Sequence, residues 1–295
     1  MKNNYFGICL KISILAYACL LNLISVSTGF AETENKSDRH YFAIKGEVFF
    51  GHFSQAQGLK VYKSSYNQDD NLLKNKLAKK FKKNQRYNGL TTSYSQAQYV
   101  VKNTHTMPYY ECMPECGAAL ELGKNSVTPL LLWTGELNVS SSKSKPCEIN
   151  PDHNQIIDDH IAKAVEEYFK RYFPTNNKDE YGHKLTEKSC HIFDSASGKI
   201  IEVIVPIQVR YIPHENLDPH LGQYTPTFVF RIYQNKLKIL STYLSTECCG
   251  FHTGGNTFID LILNIDGHDV VLYKWVGLES EGHAMMPFKK MLDSL

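Results

Sequence analysis

The chain has 295 residues, 32 basic and 30 acidic side chains, a formal charge of +2 and eight cysteines. That length suits one large domain or two ordinary ones. Near-balanced charge, with only five Arg against 27 Lys, argues against a nucleic-acid partner, because Arg is the side chain that reads phosphates and bases in a bidentate way.

Residues 1–31 read as a signal peptide. Lys2 and Lys11 supply positive charge and residues 12–26 are almost wholly apolar. Gly29 and Ala31 put small residues where a signal peptidase needs them, before the polar run 32–36. The same features disfavour the rival reading, an uncleaved anchor. Cleavage removes both of those cations and leaves 30 basic and 30 acidic residues. Later apolar runs such as 200–205 and 258–265 contain Glu202 and Asp260 and have strand length, so no membrane span is expected after cleavage.

Residues 41–50 (YFAIKGEVFF) alternate as one strand, and 54–70 read as a polar loop. Asp69, Asp70 and Asn71 then cap an expected helix over 72–83. Leu73, Leu77 and Phe81 share one face of it, and lysines fill the remainder. Lys79, Lys80, Lys82 and Lys83 are the densest cations in the chain, a candidate contact with an anionic envelope surface, a polysaccharide or an acidic protein. The plainer reading is a solvated helix face. Residues 98–102 form a further strand. Tyr109 and Tyr110 then sit in a Pro-rich stretch beside Cys112 and Cys116, where rigid aromatics on a braced loop suit partner or sugar contact.

Another strand is expected within 127–139. The small polar stretch 140–145 is the best candidate boundary between an N-terminal α+β lobe, 32–145, and a C-terminal helix-plus-sheet lobe, 146–295, although it is short enough to be an ordinary loop. Residues 151–173 carry Ile157, Ile161, Val165, Tyr168 and Tyr172 at helical spacing, with acids mostly opposite. This acidic helix is expected to be able to pack near the basic one. From Cys190 onward the pattern is an antiparallel meander. Strands within 191–194 and 199–212 meet at a turn at 195–198, with Pro206 marking an edge or bulge. Hairpins follow about Gln234-Asn235 and Asp266-Gly267, and a short helix follows Pro287.

His214, Glu215, Asp218 and His220 form the densest set of metal-ligating types. Pro213 precedes them and Pro219 interrupts them, so they read as a loop and not as two His one helical turn apart. His153 and His160 are two turns apart on the acidic helix, too far for an unaided ligand pair.

Beyond residue 31 six cysteines remain: Cys112, Cys116, Cys147, Cys190, Cys248 and Cys249. An even set in an exported chain reads as disulfides. Neighbouring Cα atoms lie about 3.8 Å apart, short of the roughly 4.4 Å a disulfide needs. Cys248 and Cys249 should therefore tie their segment to two others. With no spare cysteine, a thiolate nucleophile beside His252 is disfavoured, and the spacing fits no zinc knuckle.

These readings converge on an α+β protein, disulfide-braced, with an antiparallel β-meander in the C-terminal half and a long amphipathic helix. The expected function is non-enzymatic binding in the periplasm or extracellular space, without a cofactor. The alternative is an exported, metal-dependent hydrolase built on the 214–220 loop.

Overall fold

A tight reversal follows the first described strand: Lys45 and Gly46 both have positive φ, 49° and 90°. Such a turn is the kind that closes two-residue hairpins. It splits the expected strand 41–50 into β1 (Phe42–Ile44) and β2 (Glu47–Val48). The computed structural model describes residues 38–63, 68–106, 118–123, 127–172, 180–212, 223–224, 227–240, 256–276 and 281–293. Contacts divide the chain into two units, Met1–Arg39 and His40–Leu295, and every described strand and α-helix belongs to the second.

The expected α+β class does not hold. Nineteen strands and three helices make up the regular structure of the described residues, and strands dominate. The N-terminal half, expected to mix helix and strand, is built round a closed six-stranded barrel of order β1-β2-β7-β6-β5-β8. Its other strands are β5 (Arg86–Thr91), β6 (Gln96–Thr106), β7 (Ala118–Leu122) and β8 (Pro129–Trp133). The ring closes where Ala43 of β1 pairs with Leu132 of β8. Alternation sorts the side chains. Ala43, Val48, Tyr87, Tyr99, Val101, Leu120 and Leu132 form one cluster, to which Leu77, Ala78 and Phe81 add from the helical side. Phe42, Ile44, Leu90, Leu131 and Trp133 point the other way, into a second cluster. Gly89 is required here: a Cβ would lie 2.6 Å from the Leu131 carbonyl and 2.9 Å from the Tyr99 ring.

The stretch expected as a loop at 54–70 contains a further hairpin, β3 (Gly51–Ser54) with β4 (Gly58–Val61), and the start of helix α1 (Gln68–Ala78). α1 begins and ends earlier than the expected 72–83.

Strand β9 (Val139–Ser142) occupies the expected boundary at 140–145. It pairs with β17 (Asn256–Ile265), in a sheet of order β19-β18-β17-β9 with β18 (His268–Val276) and β19 (Glu281–Pro287). Leu261, Leu263 and Ile265 of β17 share one core with the outward face of the barrel. The Asp266-Gly267 hairpin forms as expected, with φ of 46° and 88°.

The third assembly is a seven-stranded sheet centred on β13 (Gly198–Ile212). Here β12 (Ser189–Ser195), β15 (Thr227–Tyr233) and β16 (Lys236–Leu240) follow the expected meander. β11 (Glu180–Leu185) pairs with the far half of β13. Pro206 falls between those ladders: β12 pairing stops at Ile204 and β11 pairing starts at Ile207. A residue without an N–H is tolerated where the partner changes.

Helix α2 (Pro151–Tyr172) starts on Asn150, whose Oδ1 accepts from the Asp152 N–H at 2.9 Å, with Pro151 at the first helical position. Its buried side chains among the described residues are Ile157, Ile161 and Val165, seated on Val203, Val205, Phe228 and Phe230. The expected long amphipathic helix as a principal element does not hold: the helix has a stripe of only three buried residues and covers one sheet of a fold that is mostly strand. Cys147 and Cys190 are disulfide-bonded with Cα atoms 5.1 Å apart, and the Cys147 N–H donates to the Cys190 carbonyl at 3.1 Å. This pins the lead into α2 to β12.

The bond spans 43 residues of sequence. Replacing both cysteines by Ala is expected to lower unfolding free energy by about 3 kcal/mol, read as a shift in urea midpoint at constant slope. A shift worth less than about 0.5 kcal/mol would contradict a bracing role.

Candidate functional site

The lysines singled out by the sequence lie on a turn after α1, not on the helix itself. Lys80 and Phe81 N–H groups donate to the Leu77 and Ala78 carbonyls, both at 2.9 Å, so the helix tightens as it ends. Asn84, with φ of 61°, then reverses the chain into β5. Three contacts fix the turn. Phe81 is buried and meets the Tyr87 ring at 5.2 Å between centroids. The Tyr87 hydroxyl accepts from the Lys82 N–H at 2.5 Å, and the Asn84 N–H donates to the Val101 carbonyl at 2.7 Å. Burial holds the Tyr87 hydroxyl above its ordinary pKa, so it stays protonated and donates to Gln85 Oε1 at 3.3 Å.

Lys76, Lys79, Lys80, Lys82, Lys83 and Arg86 are all exposed there. Lys102 joins them, because Val101 pairs back onto Asn84 and Gln85. Lys80 has structural work as well: its Nζ sits 5.3 Å from the Tyr41 ring centroid. Among the described residues no acid pairs with Lys79, Lys82, Lys83 or Arg86. Glu121 of β7 is taken by His105, Nε2 to Oε2 3.1 Å. The acidic helix does not neutralise this surface as expected. α2 packs on the seven-stranded sheet through Phe228 and Phe230, while α1 packs with the barrel through Leu77 and Phe81. Among the described residues the result is a cationic end with no paired acid, on a turn fixed by three contacts. It can attract anions by field.

Lys102 was invisible to charge counting along the chain, since only the pairing of Val101 with Asn84 and Gln85 brings it to this turn. Tyr109, Tyr110, His214, Glu215, Asp218 and His220 lie outside the described residues, as do Cys112, Cys116, Cys248, Cys249 and the whole of 1–31. Among the described residues no three His, Cys, Asp or Glu side chains converge as metal ligands, and no helix is long and apolar enough to cross a membrane.

His160 is a packing residue. Its ring stands edge-on to Phe228 and Phe230, centroids 6.4 and 6.0 Å away. Burial lowers its pKa below the ordinary 6.5, against the pull of Glu167. The folded chain therefore binds that proton less readily than the unfolded one, and stability contributed by neutral His160 is lost as pH falls below about 6.5. Thermal melts near neutrality and at mildly acid pH should show a smaller acid loss in His160→Phe than in the native protein. Equal losses would contradict this.

No family model matches the sequence, and no similar curated protein or solved structure was found.

Proposed function

We propose that this is an exported, non-enzymatic binding protein of the cell envelope or extracellular space, and that the cationic end of the barrel docks on an anionic lipid surface. The reading rests on one observation: exposed Lys79, Lys82 and Lys83 on a braced turn, with Arg86 at the start of the strand that follows, are answered by no described acid. Lys rather than Arg dominates, which suits diffuse attraction to a charged surface more than bidentate recognition of one group. Export is supported by the apolar, small-residue-terminated N-terminus and accords with the Cys147–Cys190 disulfide.

Co-sedimentation with vesicles tests the docking. Each lysine near an anionic surface contributes about 1 kcal/mol, so replacing Lys79, Lys82 and Lys83 together by Gln should cut partitioning onto phosphatidylglycerol vesicles by on the order of 100-fold. High salt should abolish binding, and phosphatidylcholine vesicles should not bind. Unchanged partitioning of the triple variant would overturn the proposal. So would capture by a soluble polyanion without any vesicle binding.

A further inference from the structure

A cavity of about 310 Å³ lies between the β1–β2 hairpin and β19. Phe49, Phe50, Tyr62, Tyr273 and Trp275 wall it. That volume is at the small end of the roughly 300–1,000 Å³ typical of small-molecule sites, and aromatic walls with a few polar groups are their usual lining.

Two of the rings are held against bare glycine backbone. Trp275 pairs with Gly282 across β18 and β19, and a Cβ at Gly282 would stand 2.4 Å from the indole. Phe49 takes the space that a Cβ of Gly51 would need, 2.5 Å from the ring and 2.8 Å from the Lys60 carbonyl. The backbone under Phe49 is itself fixed: the Phe49 N–H donates to the Phe42 carbonyl and the Gly51 N–H to the Phe49 carbonyl, both at 3.0 Å. Aromatic walls set in this way are preorganised, which lowers the ordering cost of binding.

The polar groups of the wall are already engaged. The Tyr62 hydroxyl is 2.7 Å from His52 Nδ1. Lys74 Nζ lies 4.8 Å from the Phe50 ring centroid. His283 Nε2 is 3.7 Å from Asp260 Oδ2. Burial raises the Tyr273 phenol above its ordinary pKa, so it is uncharged near neutrality. Lys45 and Glu47 are left, both exposed and opposite in sign. A charged ligand would therefore leave water without a fixed counter-charge, and a polyol would leave several hydroxyls unanswered. A flat apolar ring loses least hydration and gains aromatic contact.

We propose that this cavity binds a small, uncharged, flat aromatic molecule, its ring against Trp275 and Phe49. Lys74 contributes only its place in the wall, and the site is independent of the cationic turn and of vesicle binding.

Four probes of near-equal size decide shape and charge: benzamide, cyclohexanecarboxamide, benzoate and benzamidinium, each titrated calorimetrically into the native protein. Benzamide should bind at one site per chain with a Kd of about 1 mM or tighter. Cyclohexanecarboxamide carries the same head on a puckered ring and should bind at least about tenfold more weakly. Benzoate and benzamidinium keep the flat ring and should each be weaker by about tenfold or more. Trp275→Leu should cost benzamide about tenfold and leave cyclohexanecarboxamide unchanged, erasing the preference for the flat ring with circular dichroism intact. No saturable binding of benzamide to the native protein overturns the proposal. Equal affinity for the puckered ring or for either ion does so too, and these arms depend on no variant. Benzamide affinity indifferent to Trp275→Leu also overturns it.

Discussion

The seven-stranded sheet and the β17 sheet are joined through a carboxylate almost wholly removed from solvent. Glu202 of β13 is 1% exposed and stands directly across from Arg231 of β15. One oxygen accepts from Arg231 Nε at 2.8 Å, and the other accepts from the Ile259 N–H of β17 at 2.9 Å. Arg231 Nη2 continues to the Thr257 carbonyl at 2.9 Å. Burial pushes the Glu202 carboxyl above its ordinary range, while Arg231 and the Ile259 N–H pull it back. Such a pair adds little net stability compared with apolar packing, yet removing one partner strands the other and is expensive. Its effect is therefore specificity: it joins two sheets in one register.

The consequences run outward in sequence. The N–H that Glu202 accepts belongs to the residue just before the β17 bulge, so the clamp and the bulge are one feature. The bulge presents Asp260 to His283 of β19, and β19 borders the aromatic cavity. Leu261, Leu263 and Ile265 of β17 pack in the core shared with Phe42, Ile44 and Trp133 of the barrel strands. At the opposite side of that barrel α1 divides its lysines by position. Lys74 turns inward to Phe50, while Lys76 stays in water and Lys79, Lys82 and Lys83 follow on the braced turn. A single helix and its exit thus hold one lysine inside and set the others in water.

The sequence was most readable where turn chemistry is local. Asp266-Gly267 and Gln234-Asn235 mark hairpins because Gly, Asn and Asp take positive φ at low cost, and the structure shows positive φ at all four positions. The stripe Ile157, Ile161, Val165 identified α2 by period alone. The barrel escaped for the opposite reason. Pro129–Trp133 is buried at every position, so it has no alternation to read. Closure depends on β1 meeting β8, far apart in sequence. Lys45-Gly46 sits inside an otherwise strand-like run, and its turn was hidden by the flanking aromatics. The cationic turn was legible as composition, but its rigidity came from Tyr87 and Val101. The cavity was illegible, since its walls come from segments near residues 49, 62, 74, 275 and 283.

A double-mutant cycle on Glu202→Leu and Arg231→Leu, followed by urea unfolding, probes the clamp directly. Each single change should cost roughly 3–5 kcal/mol by stranding a buried charge. The double change should cost clearly less than the sum, with a coupling of about 2 kcal/mol or more. Single costs under about 1 kcal/mol that simply add would show that the two sheets hold their register without this pair, and the chain of positions from Glu202 to the cavity wall would lose its origin.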